Sequence, residues 1–249
     1  MSFSSHLSNK NNGFTLVEIS IVMIIIGLLI GGTFGGMKLV ENMQVNKTVQ
    51  DLKAIESAAL TFKDTYGRLP GDLRNPATRL PNCTVAPCAT GGDGNRILGD
   101  GGYAGFTVTA TDERFTFWSQ LQASDIVSIG VKNVTTLDFG EGQPEAPVGG
   151  GYKMGYSGSA GAAAHGIPRP FPRHTIFVTG SPEVWLTPAP QSVSCPQTIS
   201  IDQKMDDGAP LSGAVMLWTY GNCMTGPPYA YALPPTGSSP AMIEYYARF

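Results

Sequence analysis

At 249 residues the chain is long enough for one sizeable domain with an appendage and too short to require two domains. Charged residues make up only 14%, against the quarter or so usual for globular chains, while Gly 31 and Pro 19 supply about a fifth of all positions, so the chain is loop-rich. A net charge of -3 without a Lys/Arg run argues against a nucleic-acid partner, which needs a basic patch, and 42% hydrophobic content argues against disorder.

Residues 1–13 are polar and end in Asn11-Asn12-Gly13 against an apolar run. Residues 14–37 carry a single charge, Glu18, and residues 19–37 carry none. As a helix this stretch is roughly 36 Å long, enough to cross the ~30 Å hydrocarbon layer. A secretory signal places its small-residue cleavage site after the apolar region, whereas the breaking point here, Gly13, precedes it. The apolar segment is therefore expected to survive processing.

Beyond Lys38, apolar residues recur at Val45, Val49, Leu52, Ile55, Ala59, Phe62 and Tyr66, one stripe at helical spacing between polar positions such as Asn46, Lys47, Asp51 and Glu56. Gly67 ends the pattern and Pro70 prevents its resumption. Residues 14–66 thus read as one helix of roughly 80 Å, membrane-spanning over 14–37 and amphipathic over 38–66. The Gly/Pro-rich residues 69–103 promise scant regular structure. Phe115, Trp118 and Leu121, after the caps Thr111 and Asp112, predict a short amphipathic helix ending before Val127. Residues 175–179, 184–187 and 214–220 read as strands of a small antiparallel sheet, and residues 200–207, stopped by Gly208, as a helical turn. The expected class is α+β: a long N-terminal helix packed on a small antiparallel sheet, with residues 67–249 forming the globular domain.

Gly13-Phe14-Thr15-Leu16-Val17-Glu18, followed by Ile19-Ser20-Ile21-Val22-Met23-Ile24-Ile25-Ile26-Gly27, resembles the class III signal of type IV pilins and type II secretion pseudopilins. The likeness combines a glycine, an aromatic new terminus, a carboxylate five residues into the mature chain and an apolar span, and covers about the first fifth of the chain. It implies that residues 1–13 are a leader cut after Gly13 by a prepilin peptidase, and that the Phe14 amine is methylated. A carboxylate within an apolar span costs about 2.5 to 3.5 kcal/mol on insertion scales, and no cation lies within this span. The freed Phe14 amine, on the same helix or on an adjacent subunit, can neutralise Glu18, which favours staggered neighbouring helices, the role the resemblance also implies; the competing reading leaves Glu18 hydrated among headgroups. Gly27, Gly31 and Gly35 are spaced by four, as are Gly32 and Gly36, which lets helices approach closely, although glycine is common in membrane helices generally. Many motility pilins carry a proline in this region; this chain has none, which favours a pseudopilin. Leu69-Pro70-Gly71-Asp72 together with Asp206-Asp207-Gly208-Ala209-Pro210-Leu211-Ser212-Gly213 also resembles stretches of pseudopilin-like proteins.

Cys83, Cys88, Cys195 and Cys223 all lie beyond the span, where leader processing implies an oxidising destination. Of the three pairings, sequence proximity favours Cys83 with Cys88 and Cys195 with Cys223. Zinc is the competing reading, but no His is near Cys83 and Cys88, and His165 and His174 sit among Pro and Arg. Asp93, Asn95 and Asp100 place three oxygen-bearing side chains in a glycine loop suited to calcium, which some pseudopilins bind in such a loop; the same residues also serve as plain turn formers. Gly155-Tyr156-Ser157-Gly158-Ser159 misses the nucleophile elbow, and Asp206-Asp207 reads as a solvated helix end, so no enzyme is expected. The expected function is a structural subunit, pseudopilin or minor pilin. It would sit in the bacterial inner membrane with its globular domain in the periplasm. Its partners would be the prepilin peptidase, other pilin subunits, the inner-membrane assembly machinery and the lipid bilayer. A surface pilus subunit for adhesion, motility or DNA uptake is the alternative, and a membrane-anchored periplasmic enzyme or binding protein the second.

Overall fold

The computed structural model describes residues 13–99, 108–157, 173–182, 193–217, 223–225, 230–232 and 242–249. The chain divides into two units, residues 1–42 and residues 43–249. Helix α1 runs Leu16–Tyr66, and its apolar stretch is long and apolar enough to cross a membrane. Every described residue of the first unit is exposed.

In the second unit α1 buries Val45, Val49, Leu52, Ile55, Ala59 and Phe62, the stripe read from the sequence, and adds Thr48 and Ala58. Each large apolar side chain so covered contributes about 1.5–3 kcal/mol. Tyr66 is half-buried, its ring 4.6 Å from that of Phe62. Gly67, at φ 74°, closes the helix by donating to the Lys63 carbonyl at 2.8 Å, a left-handed cap that a side chain disfavours. The polar positions of this half are not all solvated. Glu56 accepts from the Tyr245 hydroxyl and from the Arg248 amide, both at 2.6 Å, and Asp51 accepts from the Tyr152 hydroxyl at 3.3 Å.

The loop region contains one short helix among the described residues, α2 at Pro76–Arg79, as its composition foretells. Leu69, Leu73, Leu80 and Leu98 nevertheless bury their side chains in the same apolar core as the stripe of α1. Helix α3, Glu113–Ala123, starts at Asp112, whose side chain accepts from the Arg114 amide. It differs from the amphipathic helix expected, because all but Glu113 and Gln122 are buried. Phe117, Trp118 and Leu121 join the α1 core while Phe115 joins a second cluster with Val108, Phe177 and Met242, so the helix is covered on opposite faces.

Strands β1 (Gly151–Ser157), β2 (Arg173–Thr179), β3 (Val215–Leu217) and β4 (Ile243–Tyr246) form an antiparallel sheet in the order β1-β2-β4-β3. Ile176 sits between Met154 and Tyr245 across its two neighbours. Both faces of β2 are covered, Ile176 and Val178 by the main core and Phe177 by the second cluster. The expected strand 175–179 lies within β2, and 214–220 contains β3 with its last three positions outside the described residues. Residues 184–187 lie outside them altogether. β1 and β4 were not anticipated, since glycines interrupt one and the other is four residues long. Helix α4, Cys195–Met205, begins five residues before the expected turn because Ser194 and Gln197 form a capping box.

His174 on β2 is packed between the rings of Tyr156 and Phe249, with centroids at 5.1 and 5.6 Å. Its Nδ1 donates to the Phe249 carbonyl at 3.2 Å, and its buried Nε2 meets no partner. Burial lowers its pKa to about 4, against the Phe249 carbonyl and aided by the charge of Lys63. Between about pH 6.5 and 4 the unfolded chain then takes up a proton that the native state refuses, so native stability falls as pH falls, by on the order of 2–3 kcal/mol. Denaturant midpoints of the full chain in detergent at pH 7 and pH 4 check this. His174→Gln should lose less stability over that window than wild type, and equal losses contradict it.

Candidate functional site

The start of α1 carries the residues with the most to explain. Thr15 precedes the helix, and its amide and hydroxyl both donate to Glu18 Oε2 at 2.8 Å, while the Glu18 amide donates to Thr15 Oγ1 at 3.3 Å. This reciprocal capping satisfies a carboxylate at the first turn, where amides are unpaired and the helix dipole favours negative charge. This local partner comes in addition to the Phe14 amine expected on the same helix or on an adjacent subunit, and the Thr-x-x-Glu spacing is its signal in the sequence. Both contacts fall on Oε2. Phe14 is exposed just ahead of the cap. At Gly27, Gly31, Gly35, Gly32 and Gly36 an added Cβ would meet nothing within 4 Å.

The cysteines lie in two disulfides, Cys83–Cys88 and Cys195–Cys223, each with its Cα atoms 5.3 Å apart. The first closes a loop that Asn133 clamps, accepting from the Cys88 amide at 3.0 Å and donating to the Val85 carbonyl at 3.1 Å.

Asp93 is brought against Asp72 and Glu113, with a carboxylate oxygen of each within 4.8 Å of the others. Asn95 is used differently. Its amide donates to Asp93 Oδ1 at 2.8 Å, its side-chain nitrogen to Asp93 Oδ2 at 2.7 Å, and its Oδ1 accepts from the Ile97 amide at 2.6 Å, a local turn. Asp100 lies outside the described residues. Asp72 is wholly buried; Oδ2 accepts from the Arg96 amide at 3.1 Å, and Oδ1 meets no donor in hydrogen-bonding geometry among the described residues. Burial raises its carboxyl above the usual range, and does the same to Glu113, whose two oxygens accept from the Asp93 and Gly99 amides at 2.8 and 2.9 Å. Three carboxylates without thiol or imidazole suit a hard cation. Asp72 and Glu113 escaped the sequence reading because they lie about twenty residues to either side of Asp93 and only folding gathers them. The Asp206-Asp207 pair is not simply solvated, since backbone amides of the following turn donate to both side chains. His165 and residues 158–159 lie outside the described residues, so the serine-glycine stretch and a histidine partner have no geometry to add.

Residues 8–34 match the family model for the prokaryotic N-terminal methylation motif, the signal of type IV pilins and pseudopilins. The match includes Gly13, Phe14, Glu18, Gly27 and Gly31. No curated protein and no solved structure matches the chain. The motif supports a pilin-like or pseudopilin subunit and implies processing by prepilin peptidase and assembly with other pilin subunits. Such subunits are usually not enzymes, and the motif with the apolar helix fits membrane anchoring.

The carboxylate loop depends on one glycine. Gly71 has φ 87°, its amide donates to Gln120 Oε1 at 2.7 Å, and a Cβ there would run into the Glu113 carbonyl. Gly71→Ala should therefore cost about 2–4 kcal/mol in denaturant unfolding. A loss under about 0.5 kcal/mol, the size of a neutral surface change, would show that the loop is not held as described.

Proposed function

We propose that the protein is a structural subunit of a type II secretion pseudopilus, cut after Gly13, methylated at Phe14 and assembled through α1. The observation that carries this reading is the methylation motif lying on a helix whose apolar half is exposed along its whole described length. An uncovered apolar helix needs lipid before assembly and other helices after it, so polymerisation exchanges one apolar surrounding for another. Phe14 of one subunit then neutralises Glu18 of the next, with Gly27, Gly31 and Gly35 allowing close approach. The protein waits in the inner membrane with its globular part in the periplasm, where the two disulfides persist. Its work is mechanical rather than catalytic. The lack of a proline in residues 14–37 favours a pseudopilin over a surface pilus for adhesion, motility or DNA uptake.

Mass spectrometry of the mature amino terminus tests the reading. A chain beginning at Phe14 with one added methyl group is expected, and an uncut leader or a cut beyond Met37 overturns it. Glu18→Ala should be processed normally yet fail to enter filaments, scored by its absence from the sheared or cross-linked assembled fraction. Wild-type incorporation removes the Glu18–Phe14 pairing.

We also propose that the Asp93 loop takes calcium, with Asp72 and Glu113 completing the carboxylate set and Asn95 and Asp100 serving the loop. The support is the buried Asp72 Oδ1 that meets no donor. Asp93→Asn in the full chain in detergent should lose part of the calcium uptake measured by calorimetry and part of the rise in melting temperature that calcium brings. Unchanged uptake removes this site.

A further inference from the structure

The C-terminal end of α4 gathers a second set of carboxylates, and its chemistry stands apart from the assembly of α1. A carboxylate oxygen from each of Asp202, Asp206 and Asp207 lies within 4.8 Å of those from the other two. Asp202 is wholly buried; its Oδ2 accepts from the Tyr231 hydroxyl at 2.7 Å, and its Oδ1 meets no donor in hydrogen-bonding geometry among the described residues. The other two are fixed by backbone. Asp206 Oδ2 accepts from the amides of Ala214 and Val215, the latter at 3.2 Å, and Asp207 accepts from the Ala209 amide at 2.9 Å and the Ser212 hydroxyl at 2.5 Å. Gly213, at φ 75°, belongs to the same turn, and a Cβ there would strike the Asp206 carboxylate.

Three like charges at a helix C-terminus oppose both one another and the negative end of the helix dipole. The cation in the last turn of α4, Lys204, is turned away, donating to Asn46 Oδ1 at 2.6 Å. The ion pairs among the described residues involve none of the three. Burial raises the Asp202 carboxyl to about 6, with the Tyr231 hydroxyl lowering it, the charges of Asp207 and Asp206 raising it further and the Gly208 amide lowering it slightly. A buried carboxylate oxygen with no donor is costly unless a cation meets it. The cysteine of α4 is spent in the Cys195–Cys223 disulfide, and the three groups brought together are carboxylates, so the donors on offer are hard oxygens. Calcium, which accepts six to eight oxygens in irregular geometry, suits them better than magnesium, which demands a regular octahedron, or zinc, which prefers nitrogen and sulfur.

We propose that Asp202, Asp206 and Asp207 form a calcium site that fastens the end of α4 to the turn leading into β3. The disulfide already fastens the start of α4, so calcium secures the helix at both ends. The test is a calorimetric titration with calcium chloride, and thermal unfolding with and without it, on the full chain in detergent after chelator treatment. Wild type, Asp207→Asn, Asp202→Asn and Asp93→Asn are compared. Asp207 is exposed, and asparagine can still accept from the Ala209 amide through Oδ1 and donate through Nδ2 to the Ser212 hydroxyl oxygen, so Asp207→Asn decides the outcome even if Asp202→Asn fails to fold. Asp207→Asn should weaken one calcium-binding event by at least about tenfold and shrink the calcium-dependent rise in melting temperature. Asp93→Asn should leave that event intact. An Asp207→Asn isotherm superimposable on wild type, calcium uptake lost entirely in Asp93→Asn, or no uptake by wild type overturns the proposal.

Discussion

The stripe of α1 from Val45 to Phe62 is the surface on which the second unit is built. Loop leucines, apolar residues of α3 and the inner residues of β2 and β4 belong with it to one buried apolar cluster. Hydrogen bonds reinforce the same seam, because Glu56 holds the Tyr245 hydroxyl and the Arg248 amide of the last strand region. The helix therefore links residues about 190 positions apart, so an early segment of the chain organises its end. The same helix begins in a stretch whose described residues are all exposed and which is long and apolar enough to cross a membrane.

A chain with so little charge and so many turns must satisfy its backbone by other means than regular structure. Gln120 shows how: from within α3 it accepts the Gly71 amide and donates to the Thr90 carbonyl, tying two loop strands to a helix with one side chain. Asn133 does the same for the loop closed by Cys83 and Cys88. Asp72 and Glu113 extend the pattern, but with carboxylates, and burial leaves them with charge that amides only partly offset.

Glu18 has two demands on it. Within one chain it caps α1 through Thr15, which lowers the cost of a carboxylate next to an apolar run. In the assembly proposed above its charge would pair with a neighbouring amine. These uses are compatible, because a carboxylate has about four acceptor sites and the capping contacts fall on one oxygen. The cap also fixes where the charge sits, so a partner meets an acceptor already oriented rather than a mobile side chain.

Local pattern was enough to determine the parts of this protein governed by neighbours in the chain. The uncharged run after Glu18, the stripe from Val45 to Phe62 and the stop at Gly67 depend on spacing along one helix, and the methylation motif is itself a local string. Proximity likewise favoured the two cysteine pairs seen in the structure. Tertiary structure decided what depended on distant partners: α3 is covered on opposite faces, β1 and β4 are strands because β2 lies between them, and Asp72 and Glu113 reach Asp93 only through the folded loops. Asp202 acquires its burial from packing that no window of sequence contains. A helix carries its pattern in adjacent turns, whereas a sheet, a core or a carboxylate cluster exists only when remote segments meet.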